Sequence, residues 1–93
     1  MKRQIIKADG SVVNYSPASS AHYELKELQN IVGGYIQIIE LGNGWQMVIA
    51  EEGKLKGMPY NAIATDLAQE HEAIFENDYI VGDVLICMEG DIL

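Results

Sequence analysis

From Met58 onward the chain contains neither lysine nor arginine, and that absence restricts its function more than any motif it carries. The final third holds Asp66, Glu70, Glu72, Glu76, Asp78, Asp83, Glu89 and Asp91. Residues 1–57 balance six basic side chains against six acidic ones, so the net charge of −8 arises entirely after Gly57. A nucleic-acid binder shows a basic stripe, and the reverse pattern argues against direct binding to DNA or RNA. Cysteine is nearly absent too. The single Cys87 can form no internal disulfide, and MKRQIIKADGS follows its basic start with a two-residue apolar pair instead of a signal-peptide core. A cytoplasmic location is therefore expected. Long hydrophobic runs are missing: the longest, as at Val84 to Met88, reach about five residues where a membrane helix needs roughly 20.

Chemical motifs are equally sparse. His22, His71 and Cys87 lack the pair spacing of a zinc finger or zincin, no Gly-Lys-Ser/Thr follows a glycine-rich loop, and no nucleophile elbow anchors a Ser-His-Asp set. No catalytic residue, metal ligand or cofactor is expected, and a binding protein is preferred over an enzyme. Turnover through His71 or Cys87 is the last-ranked reading, since neither has a located partner. What is present is a 93-residue chain with 48% apolar content, which fits one domain over residues 1–93. A core of that size is marginal, which makes a homo-oligomer the natural expectation.

Strands are expected over Arg3 to Ala8 and Ser11 to Tyr15, joined by Asp9-Gly10 as a tight turn. Leu25, Leu28 and Val32, with Ile31, recur at helical spacing opposite Lys26, Glu27, Gln29 and Asn30. Ser19 or Ser20 is the expected cap of that helix, Glu24 and Glu27 suit its positive end, and Gly33-Gly34 ends it. Tyr35 to Leu41 and Trp45 to Ala50 form a hairpin around Gly42-Asn43-Gly44. Both faces of the first are largely apolar, which suggests a central strand. Glu51 to Gly57 is a polar loop, and Asn61 caps a second helix carrying Ile63, Leu67 and Ile74 and ending between Gln69 and Phe75. Tyr79 to Val81 and Asp83 to Met88 close the sheet, bent at Gly82. The expected class is α+β: an antiparallel or mixed sheet of five to six strands with two helices mainly on one face.

Leu28-Gln29, Val32-Gly33-Gly34-Tyr35-Ile36-Gln37, Glu51-Glu52-Gly53-Lys54-Leu55-Lys56-Gly57-Met58-Pro59, Asn61 and Ile80-Val81-Gly82-Asp83 together resemble an uncharacterised family of small domains. The family occurs on phage, plasmid and conjugative-element proteins of bacteria. Met58 stands where the family usually has Leu, a volume-conserving change. The resemblance implies a mobile-element setting and no reaction. Small acidic proteins of such elements often act on host defence, and that analogy is what suggests an antagonist.

Two surfaces are candidates for binding. Lys54, Lys56 and Asn61 place two cations ahead of a helix N-terminus, where free amides and the helix dipole favour an anion. Tyr35, Trp45 or Tyr60 would add a stacking face, so convergence would suit a small anionic or nucleotide-derived ligand. The plainer alternative has Gly53 and Gly57 serving turns, the lysines offsetting Glu51 and Glu52, and Tyr35 and Trp45 packing in a core or between copies. The other surface is acidic. Asp66 and Glu70 on one helix face, with Glu72 and Glu76 four residues apart, would present carboxylates to a basic host protein surface, including one that normally holds DNA. Its alternative is a solvated face that aids solubility.

Overall fold

The computed structural model describes residues 1–17 and 22–92. Element order is β1 (Gln4–Ile6), β2 (Val12–Asn14), α1 (Leu25–Val32), β3 (Ile36–Gly42), β4 (Trp45–Ala50), α2 (Ala62–Glu70) and β5 (Val84–Met88). The five strands form one antiparallel sheet in the order β2-β1-β5-β4-β3, so the class is α+β as expected. Both hairpins form where their turn residues lie. Asn43 and Gly44 take φ of 55° and 83°, the paired left-handed conformation of a two-residue turn. A register shift between Glu40 and Gly42 adds a bulge just before it.

The centre of the sheet is β5. The last strand inserts between the two hairpins, with Ile86 opposite Gln4 on one side and Met47 on the other. This displaces β3 to an edge, contrary to the central position its apolar content suggests: Gln37 and Glu40 are exposed, and so is Ile38. Only β4 and β5 bury successive side chains on both faces, as internal strands covered on both sides must.

The helices cover opposite faces, correcting the expectation that they lie mainly on one. Leu28 and Val32 of α1 pack with Tyr23, Val48, Ala50, Leu85 and Cys87. Ala64 and Ala68 of α2 pack with Ile6, Met47, Val84 and Ile86. Adjacent strand residues 47 and 48, or 85 and 86, point to opposite sides of a sheet, so two cores result. In α2 the fully buried residues are Ala64, Thr65 and Ala68; the expected Leu67, and Ile74 beyond the helix end, pack partly buried against the same core, while the expected Ile63 is exposed. Leu25 in α1 is likewise exposed.

Caps decide where the helices begin and end. Glu24, in extended backbone, is the N-cap of α1, its amide donating to the Glu27 carboxylate at 3.3 Å. The expected caps Ser19 and Ser20 lie outside the described residues. Gly33, at φ 87°, closes α1 by donating to the Gln29 carbonyl at 2.8 Å.

Candidate functional site

Lys54 and Tyr60, both singled out by their sequence position, come together around two residues that were not, Asp78 and Tyr79. The 51–57 segment is folded by its own backbone, with the Lys56 and Met58 amides donating to the Glu52 and Gly53 carbonyls, each at 3.0 Å. Gly53 sits buried at its base, where a Cβ would stand 2.9 Å from Val81 Cγ2. That close approach seats the turn against the segment leading to β5, and Lys54 reaches across it. Its Nζ donates to Asp78 Oδ1 and lies 4.4 Å from the centroid of the Tyr79 ring. The Tyr79 amide donates to the same oxygen at 2.7 Å. The Lys54 bond first, then the Tyr79 amide, holds the Asp78 carboxyl below its ordinary 3.8. The Tyr60 ring flanks that of Tyr79, centroids 6.2 Å apart and planes tilted by 51°.

Lys54, Asp78 and Tyr79, though not Tyr60, border a cleft of about 540 Å³ that also takes in Ile39 of β3, Ile49 of β4 and much of the 72–81 segment. Leu55 and Phe75 stand on it 85% and 81% exposed, the two most exposed large apolar side chains among the described residues. Its charged lining is Glu51, Glu72 and Asp78 against Lys54 alone. With Lys54 already engaged, the cleft presents negative charge beside bare hydrocarbon.

The remaining candidates lie elsewhere. Lys56 and Tyr35 meet in a separate recess of about 270 Å³ with Gln29 and Gly34. Lys56 Nζ there stands where it would be 2.7 Å from a Cβ on Gly34, at the end of α1 whose last turn has no basic residue of its own. It thus complements the negative end of that helix. Asn61 cannot serve as a ligand group. It is fully buried, its Oδ1 accepts from the Ala64 amide at 3.0 Å, and its Nδ2 donates to the carbonyls of Ile6 and Gly82 at 3.0 and 2.8 Å. Trp45 is partly buried against the core beneath α2, away from both recesses.

Asp66, Glu70, Glu72 and Glu76 are all exposed. The helix stops at Glu70, however, and Glu72 takes φ 55°, so Glu72 and Glu76 are not an i, i+4 pair on a helix. Cys87 is buried under α1, and burial first, then the Asp91 carboxylate, pushes its thiol up to about 11. It is therefore protonated near neutrality and a poor nucleophile. His71 is exposed at the C-cap of α2. Among the described residues, no group of three or more His, Cys, Asp or Glu is placed to hold a metal, and no helix is long and apolar enough to cross a membrane.

The family model described as domain of unknown function DUF3846 matches residues 2–92. The chain belongs to that family. No curated protein and no solved structure matches it. In this DUF3846 domain, the residues that carried the resemblance largely build the scaffold. Leu28 is core, Gly33 is the α1 terminus, and Asn61 ties α2 to the β1 end and to Gly82. Met58 packs so close to Gly82 that a Cβ there would stand 2.9 Å from its sulfur. Asp78, Tyr79, Phe75 and the role of Glu51 are the site residues that sequence reasoning missed. Only the Lys-free stretch hinted at Asp78, and nothing in the sequence pointed to Glu51; the 24-residue separation of Lys54 from Asp78 has no local signature.

Proposed function

We propose that this DUF3846 domain is a binding protein whose cleft takes a basic segment of a partner protein that also carries apolar side chains. The observation that carries this reading is the cleft itself: Glu51, Glu72 and Asp78 line it with one already paired lysine, and Leu55 and Phe75 stand bare beside them. A phosphate entering there would meet three carboxylates, whereas a cation would be attracted and an apolar neighbour would cover exposed hydrocarbon. The exposed Asp66, Glu70 and Glu76 extend the same field and would speed encounter with a basic surface. In the mobile-element setting the resemblance implies, that partner would be a host protein and the domain an antagonist of host defence.

The test is affinity capture from bacterial lysate followed by binding of the purified partner. Glu51→Gln with Glu72→Gln is expected to weaken binding about tenfold and to flatten its salt dependence, and Phe75→Ser to weaken it independently. Partner binding that ignores all three changes would rule the cleft out.

A second reading, a small anionic or nucleotide-derived ligand, is favoured at one place. The Lys56 recess holds a cation beside the exposed Tyr35 ring with no carboxylate among its four lining residues. Native mass spectrometry of freshly isolated protein checks it: a retained phosphate-bearing adduct that disappears in Lys56→Ala supports it, and a clean apo spectrum counts against it.

A further inference from the structure

Lys54 does not simply sit on a surface. Its ammonium group bonds the Asp78 carboxylate and lies over the face of the Tyr79 ring, which the Tyr60 ring flanks in turn. We infer that this is a binding site for a guanidinium group, filled in the free protein by the protein's own Lys54. The partner residue that displaces it is an arginine. This rests on the basic-segment reading above and names the side chain that anchors the segment.

Three features carry the inference. The present occupant is weakly held: the side chains of Lys54 and Asp78 are 47% and 36% exposed, and water screens most of the attraction in an exposed pair of this kind. The carboxylate is also only half used. Lys54 and the Tyr79 amide both bond Oδ1, and neither uses Oδ2. An ammonium is a point donor, while a guanidinium donates through a planar fork that engages both oxygens of a carboxylate and stacks on a ring. Arginine therefore satisfies Asp78 and Tyr79 more completely than Lys54 does. The third feature is that the Tyr79 amide fixes the carboxylate in place, so the site is preformed whoever occupies it.

Charge selects the occupant. Glu51 and Glu72 line the same cleft, and Leu55 and Phe75 stand exposed next to it. A second copy of this chain docking through the same face across a two-fold axis would bring these carboxylates against their equivalents, which is unfavourable. A basic segment with an arginine flanked by leucines matches both the charge and the hydrocarbon.

The probe is the peptide acetyl-Leu-Arg-Leu-amide, titrated into the 15N-labelled full chain, with the citrulline peptide as its uncharged isostere. Lys54→Met keeps an unbranched side chain one atom shorter and removes the competing charge. It is expected to bind the arginine peptide about fivefold or more tightly than the natural chain, with shifts centred on the Tyr60, Asp78 and Tyr79 amides. Adding Asp78→Asn should abolish that gain, and citrulline should show none. No tightening in Lys54→Met, with its amide spectrum otherwise intact, would overturn the inference. So would an equal gain for citrulline, or a concentration-dependent dimer of Lys54→Met in sedimentation, which would assign the site to a lysine of a second copy. These results are separable from the capture experiment, since Lys54→Met can leave a partner bound through Glu51, Glu72 and Phe75 unchanged.

Discussion

Asn61 shows how a single buried amide can look like a ligand group in sequence and be structural in the fold. Each of its side-chain polar atoms is engaged, one in capping α2 and the other in bridging two carbonyls from distant parts of the chain. Asn61→Ala removes the cap and one buried hydrogen bond to each of the two carbonyls, and is expected to lower the unfolding free energy by about 3 kcal/mol. Asn61→Ser can still cap and should recover about 1 kcal/mol of it; urea denaturation of both variants checks the order. Asp91 works at the same scale. Buried, it takes the Arg3 guanidinium through both oxygens, at 2.7 and 3.1 Å, and the Met88 amide at 2.8 Å. The Arg3 bond chiefly holds its carboxyl below the ordinary 3.8, although burial opposes this. Its contribution to stability is thus present above 3.8 and is lost as the pH falls through the lowered folded value. Asp91→Asn is expected to be less stable at pH 7 and to show a flatter acid limb when stability is followed from pH 6 to pH 2, roughly the window in which such carboxylates titrate.

Among the elements, β5 is the one on which the others depend. Its VLICM run reads as a strand anywhere in a sheet; nothing in it says that it parts two hairpins formed long before it in the chain. That placement buries Val84, Leu85, Ile86 and Cys87 and gives the sheet its two cores. Amide hydrogen exchange should accordingly be slowest in β4 and β5 and fastest, among strands, in β2, whose three residues are exposed and paired on one side only. Slow exchange in β2 and fast exchange in β5 would reverse this order and contradict the topology. The hairpins themselves were legible from Asp9-Gly10 and Asn43-Gly44, because turn geometry is a local demand. The buried face of α2 was legible only in part. Its small Ala64, Thr65 and Ala68 face the core with Leu67 at their side, a choice set by the surface opposite and not by hydrophobicity along the helix.

Over the whole molecule, unbalanced negative charge governs the electrostatics, since the net charge is −8. Self-repulsion of this kind is screened by salt, which also weakens ion pairs, the exposed Lys54–Asp78 more than the part-buried Arg3–Asp91. Thermal unfolding between about 20 mM and 300 mM NaCl should therefore move upward, across a range in which the Debye length shrinks several-fold. A falling midpoint would mean that pairs such as Arg3–Asp91 outweigh the repulsion. The charges are also sorted in space: carboxylates drawn from the 51–57 turn and the 72–81 segment converge on one cleft, whereas the cations Lys54 and Lys56, two residues apart, are separated into different recesses.

By itself the sequence determined the two hairpins, both helices, the α+β class and an acidic character without basic relief after Gly57, because each follows from turn chemistry, periodicity or composition over a short span. Tertiary structure alone decided that β3 is an edge, that the helices lie on opposite faces, that Asn61 is internal and that Lys54 meets Asp78 and Tyr79. Each of these depends on where β5 inserts. That insertion is a contact between segments distant along the chain, selected by the burial of both faces of one strand, and no window of neighbouring residues encodes it.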